Sequence, residues 1–282
     1  MNSPRKLRIA TRKSPLALWQ AKRVEHLIRE NLGFDTQIVP MSTTGDKQSQ
    51  WNLSEKGGKG LFTKELEESL LRNETDLAVH SAKDMPTDCP EGLTLATFVE
   101  REDPRDVLVL KEGIDNPKRM ATGSPRRRAQ LRNRFEGCEW TQLRGNVETR
   151  LRKIVEQDEA DGTILAAAGL ARLGFKSFSG LKFIYLSMQE MVPAAGQGAI
   201  AIQSRYEDKE LFTVLGNPDT QRAVITERKI LDRQGGGCQV ALGVCMHNQK
   251  LYFFDEAFGR FSFDCENLNE KEILNKIDEF VR

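Results

Sequence analysis

The chain has 282 residues, long enough for two or three domains with a sizeable buried core. Hydrophobic residues make up 39% of it and charged residues 29%, a globular composition that excludes a disordered chain. Forty-two Lys and Arg against 41 Asp and Glu leave +1, so any electrostatic function must come from how the charges are distributed.

Residues 7–10 read as a strand reached without an apolar leader, so no secretory signal is expected. Residues 16–32 carry Leu16, Val24, Leu27, Ile28 and Leu32 at helical spacing, with Ser14-Pro15 at the start and Gly33 at the end. A strand at 38–41, a helix at 61–72 and strands at 77–80 and 93–99 follow. Between strand and helix, residues 42–60 are polar and glycine-containing, a length that marks a functional or mobile loop. A second unit begins near Glu102-Asp103-Pro104. It has strands at 107–110, 140–143, 163–167 and 183–186 and helices at 125–134 and 147–157. A strand at 194–203 is expected to return to the first sheet. From about 219 the pattern changes to a helix at 220–233, strand-like runs at 240–246, 251–254 and 257–263, and a last helix at 269–281. The β/α alternation implies an α/β fold with largely parallel, helix-covered sheets. Its expected domains are 1–99 plus about 194–215, then 104–190, then a smaller α+β unit at 219–282.

No stretch reaches the roughly 18–20 apolar residues of a membrane span. The five cysteines are irregularly spaced with no C-x-x-C, which argues against a disulfide framework or a metal site and for reducing cytosol. Charge is concentrated in one place. Residues 118–153 hold eleven basic and three acidic side chains, and nine of the eleven are Arg, the side chain suited to bidentate carboxylate or phosphate recognition. Arg126-Arg127 follow Thr122-Gly123-Ser124-Pro125 at a helix start, where hydroxyls, N–H groups and the helix dipole converge on an anion. Arg144-Gly145-Asn146 repeats the arrangement, with Arg150 one turn later. Taken alone, the run admits a solvated basic face, a nucleic-acid footprint or a site for a small polyanion. No aromatic residue is interleaved with Arg126–Arg134.

Two further clusters stand out. His80-Ser81-Ala82-Lys83-Asp84-Met85-Pro86 places a Lys-Asp pair after an apolar strand, either as a surface ion pair or as a carboxylate able to stabilise a cationic intermediate. His80 itself reads as a strand-end hydrogen bonder. Gly235-Gly236-Gly237-Cys238-Gln239 leaves a cysteine on a permissive loop, as an inert buried thiol or as a nucleophile and attachment point.

These clusters, with Arg8–Gln20, Gly57–Phe62, Glu100–Asp106, Leu143–Val147 and Ala194–Gly198 in the same order, resemble the porphobilinogen deaminase family over nearly the whole chain. The resemblance implies two lobes like those of type II periplasmic binding proteins, with a cleft between them, and a third domain carrying the cofactor cysteine. It implies a transferase that condenses four porphobilinogen units head to tail, with loss of ammonia, on a covalent dipyrromethane primer. Hydroxymethylbilane is then released by hydrolysis. Carried over by motif, Cys238 bears the cofactor and Asp84 is catalytic. Arg12, Ser14, Lys83, Thr122, Ser124, Arg126, Arg127, Arg144, Arg150 and Arg172 bind cofactor and substrate carboxylates, and Lys59 helps close the cleft. No metal, nucleic acid or membrane is expected. A cytosolic monomer is, with a possible handover of product to uroporphyrinogen III synthase.

Overall fold

The computed structural model describes residues 6–47, 60–235 and 240–281. The chain opens with β1 (Leu7–Arg12), α1 (Pro15–Leu32), β2 (Thr36–Met41), α2 (Thr44–Lys47), α3 (Lys64–Leu71), β3 (Leu77–Ser81) and β4 (Leu93–Val99). Next come β5 (Asp106–Lys111), β6 (Arg119–Ala121), α4 (Pro125–Leu131), β7 (Glu139–Thr141), α5 (Val147–Glu156), β8 (Gly162–Ala166), α6 (Ala167–Arg172) and β9 (Leu181–Tyr185). The last part holds β10 (Ile200–Arg205), α7 (Lys209–Thr213), α8 (Pro218–Arg233), β11 (Leu242–His247), β12 (Lys250–Asp255), β13 (Gly259–Asp264) and α9 (Glu270–Phe280). Contacts divide the chain into two compact units, Met1–Glu102 with Ala199–Arg222, and Asp103–Gly198 with Ala223–Arg282.

In the first unit five strands lie in the order β2-β1-β3-β10-β4. β1 runs parallel to β2 and β3, whereas β10 is antiparallel to both its neighbours. Helix α1 forms where the sequence predicts it. The Ser14 side chain accepts from the Ala17 N–H, Pro15 presets the first turn, and Gly33 closes the helix at φ 68°. Its buried face, with Ala21, Val24 and Ile28, covers Ile9, Leu77, Val79 and Ile202 on one side of the sheet. Leu66 and Leu70 of α3 cover Ala10 and Ala78 on the other.

The second unit repeats the plan as β7-β6-β8-β5-β9. β6 is parallel to β7 and β8, and β5 is antiparallel to β8 and β9. In both sheets the fourth position belongs to the strand that begins just after the chain crosses from one unit to the other. The two sheets thus share one topology. As expected, each sheet is largely parallel, with four of its five strands running one way; only the fourth-position strand, which arrives by a crossing and not by a helical crossover, runs against the others. β11, β12 and β13 form a separate antiparallel sheet whose apolar face, with Val244, Leu251 and Phe253, packs with Ile230, Ile273 and Ile277.

Several boundaries differ from the sequence reading. The returning strand begins at Ile200, because Gly196 and Gly198 take φ 70° and 90° and hold the preceding segment in turns. Strand β6 and helix α6 escape the pattern. β6 has three residues, and α6, six residues of Ala, Gly, Leu and Arg, has no polar face to give it a helical period.

Candidate functional site

The first unit contains a recess lined by Arg12, Ser14, Gln20, Phe62, Thr63, His80, Ser81 and Asp84. Its walls come from the ends of β1 and β3, the start of α1 and the residues leading into α3. Asp84 ends a short 3-10 turn, Ala82–Asp84, directly after β3. It is exposed and makes no hydrogen bond or ion pair among the described residues. Lys83 beside it is half-buried. Ser14 caps α1 through its oxygen lone pair, which leaves its O–H proton available to a carboxylate. Gln20 Nε2 donates to Ser81 Oγ at 2.9 Å and ties α1 to the end of β3.

Arg12 already has a carboxylate partner. Its guanidinium pairs with Asp46 and lies 4.3 Å from the centre of the Phe62 ring. Burial acts to raise the Asp46 pKa, but Arg12 and the hydroxyl and N–H of Thr43 together hold it below the usual carboxylate range. Any substrate carboxylate that uses Arg12 therefore shares it with Asp46. Sequence reasoning missed Asp46, since nothing local distinguishes it from other acids of a polar loop.

Deeper in the recess His80 is 5% exposed. Burial pushes its pKa down to about 4, with the Gln203 hydrogen bond offsetting part of the effect and the Arg12 charge adding to it. The ring is neutral at physiological pH.

In the second unit the arginines divide into two kinds. Arg126 and Arg127 are buried against Asp106, itself 0% exposed. Arg126 donates to Asp106 Oδ2 at 2.7 Å and to the Val192 carbonyl at 2.7 Å. Arg127 donates to Asp106 Oδ1 through Nε at 3.1 Å and Nη2 at 2.7 Å, and to the Ile164 carbonyl. Gln197 Nε2 adds a bond to Asp106 at 3.0 Å and one to the Pro104 carbonyl at 2.7 Å. Burial pulls the Arg126 guanidinium below its ordinary pKa even against the Asp106 charge. Asp106 and Gln197 were visible in the sequence only inside longer motifs, with nothing to single them out.

Arg144 and Arg150 are half-buried and bond neutral oxygens, those of Gln142 Oε1 and the Asn146 carbonyl. Gly145 lies between them at φ 120°, where a Cβ would come within 2.7 Å of the Thr149 side chain. Asn146 caps α5 by accepting from Thr149 N–H at 2.8 Å. Ser124 caps α4 in the same way, and Thr122 Oγ1 accepts from the Ser124 N–H at 3.2 Å. Arg172 is buried and donates to the Gly198 carbonyl at 2.6 Å. So Arg12, Ser14, Lys83 and Asp84 belong to the first unit, and Thr122, Ser124, Arg126, Arg127, Arg144, Arg150 and Arg172 to the second. Lys59 and Cys238 lie outside the described residues.

Residues 7–213 match the family model described as porphobilinogen deaminase, dipyrromethane cofactor binding domain. The chain is 44% identical over 245 residues to the porphobilinogen deaminase of Geobacter sulfurreducens, covering 84% of this chain and 76% of that protein. It is 45% identical over 246 residues to that of Desulfitobacterium hafniense, covering 84% and 79%. The chain belongs to the porphobilinogen deaminase family. The cofactor named for this family is a dipyrromethane. A dipyrromethane bears acetate and propionate arms on each ring, and the hydroxyls of Thr122 and Ser124 with the half-buried Arg144 and Arg150 are donors suited to such arms. No helix among the described residues is long and apolar enough to cross a membrane.

Proposed function

We propose that the chain is a working hydroxymethylbilane synthase in which the first unit carries the reacting carboxylate and the second carries most of the arm-binding donors. The family's activity is the head-to-tail condensation of four porphobilinogen units, with loss of ammonia, in tetrapyrrole biosynthesis. The observation that carries the residue assignment is Asp84, an exposed carboxylate without a partner among the described residues, on a recess it shares with Arg12 and Ser14.

The dipyrromethane, when bound, supplies a free α-carbon to which the first substrate unit is joined. We assign its attachment to Cys238 and its arms to Thr122, Ser124, Arg144 and Arg150. Asp84 accepts pyrrole N–H bonds and offsets the positive charge that spreads onto those nitrogens as ammonia departs. A preorganised group of this kind is worth about 3–4 kcal/mol. Arg12, Ser14 and Lys83 bind arms of the incoming unit, with Asp46 holding the Arg12 guanidinium in place. Arg126 and Arg127 direct their described bonds inward, to Asp106 and to backbone carbonyls, and Arg172 donates to the Gly198 carbonyl; we assign all three to arm binding alongside that bracing. Lys59 is assigned to closing over the bound chain. We place the protein in the cytosol as a monomer that passes its product to uroporphyrinogen III synthase, although no sequence motif marks a docking surface for it.

The intact mass of the purified protein tests this reading, with Cys238→Ser as control. A mass excess equal to one dipyrromethane, absent from the control, is expected. A bare polypeptide mass that does not rise on incubation with porphobilinogen would overturn the proposal.

A further inference from the structure

His80 lines the recess that holds Asp84, and the proposed function leaves it without a task. His80 Nε2 lies 3.1 Å from Gln203 Oε1, and Gln203 Nε2 donates to Glu67 Oε1 at 3.1 Å. Thr63 Oγ1 donates to the other oxygen of Glu67 at 3.2 Å. A carboxylate only accepts, so the Gln203 amide must turn its NH2 towards Glu67 and its oxygen towards the histidine. That oxygen in turn requires a proton on Nε2. The imidazole is neutral, so Nδ1 carries the lone pair. Nδ1 is the ring's remaining polar atom, and His80 has no other protein partner among the described residues.

Three elements of the first unit set up this chain: α3 through Glu67, β10 through Gln203 and β3 through His80. All three side chains are buried. Gln203 sits where the register of β10 against β4 shifts, a bulge of the kind that re-aims a side chain. Glu67–Gln203 serves no helix cap, and no described cation pairs with Glu67 in the bonds above. Its evident effect is to fix which imidazole nitrogen is basic.

We propose that His80 Nδ1 accepts a hydrogen bond from an N–H of the incoming pyrrole unit beside Asp84, with Glu67 and Gln203 as positioning residues that lock the Nε2–H tautomer. The inference rests on the recess being the reaction site proposed above. A ring so hard to protonate does not take a proton from an alkylammonium group. It orients the donor and leaves the charge to Asp84. The chain Glu67–Gln203–His80 is thus the neutral counterpart of a carboxylate-oriented histidine.

The test has a readout that does not need turnover. The chain has three histidines, so a two-bond proton–nitrogen correlation spectrum of histidine-labelled holoprotein, with His80→Gln for assignment, reports the tautomer directly. Neutral Nε2–H is expected at pH 7. Glu67→Gln should move it towards Nδ1–H, because the new amide can donate to Gln203 and turn it round. In turnover, His80→Gln keeps a group near the Nε2 position but has no acceptor at Nδ1, and kcat should fall about 100-fold. His80→Asn places an oxygen near Nδ1 and gives up Gln203, and should lose less than about tenfold. A wild-type Nδ1–H tautomer or imidazolium would overturn the proposal, as would His80→Asn being worse than His80→Gln. So would His80→Gln turning over within about threefold of wild type. If the wild type itself shows no turnover, the reading of the reaction fails, and the spectrum still decides the tautomer.

Discussion

The two sheets share a strand order and handle charge in opposite ways. In the first unit Asp84 is exposed and without a partner among the described residues, while in the second Asp106 is fully buried and committed to two guanidiniums. The contrast extends to the arginine-rich run itself. Arg119 pairs with Asp158 and Asp161, Arg132 with Glu256, Arg134 with Glu190, and Arg152 with Glu148 and Glu156. Most acids that meet this run come from outside it, so a charge excess visible in sequence is largely neutralised in space. Arg144 and Arg150 differ from the buried pair in being half-buried, and their described bonds include ones to the neutral oxygens of Gln142 and Asn146. An excess of basic residues in the sequence therefore overstates the net charge that the fold presents.

Asp84→Ala tests the first half of that contrast most severely. Turnover of porphobilinogen should drop by about 100- to 1000-fold. Stability in urea should stay within about 0.5 kcal/mol of wild type, as for a surface residue without partners. A large loss of stability would mean that Asp84 is a structural group like Asp106. Asp106→Asn tests the second half. It leaves two buried guanidiniums without their counter-charge and should cost about 3–5 kcal/mol of unfolding free energy. Arg144→Leu is its companion and should change stability by no more than about 0.5 kcal/mol. It should instead alter the distribution of chain-elongation intermediates seen by mass spectrometry. If Asp106→Asn and Arg144→Leu prove equally destabilising, the division of the arginines into braces and ligands is wrong.

The elements with a strong local signature were legible in the sequence. Helix α1 shows its cap, its apolar stripe and its closing glycine, and the strands around His80 and Leu108 are apolar runs that can only be buried. The motif order disclosed the family, and the role proposed for Asp84 follows from its motif. What stayed hidden was the pairing of residues distant in sequence. Asp106 meets Arg126 and Arg127 because β5 enters the middle of its sheet, and Gln203 meets His80 because β10 does the same in the other. No period or spacing within either segment encodes those encounters. Asp46 was hidden for the same reason, since its meaning depends on the position of Arg12.

The effect expected of His80 is smaller than that of Asp106→Asn and sharpens the comparison further, because it separates a buried neutral group from a buried charged one. In the folded protein the ring resists protonation down to about pH 4, whereas the unfolded chain takes up the proton near 6.5. Between those values the unfolded state binds more protons, so stability falls as pH falls, and the contribution is whole only above the upper value. Arg12 from β1 opposes protonation by its charge, Glu67 acts only through Gln203, and Asp84 lies on the same recess. Paired carboxylates such as Asp46 also lose stability in acid, so wild type is compared with His80→Gln, in which those groups remain. Between pH 7 and 4.5 the wild type should lose roughly 2 kcal/mol more than the variant in urea unfolding. Parallel losses would mean that the native ring titrates like a solvated imidazole. In that case its proton is not held by Gln203, and the first unit would have no locked neutral acceptor to set beside the ion-paired hub of the second.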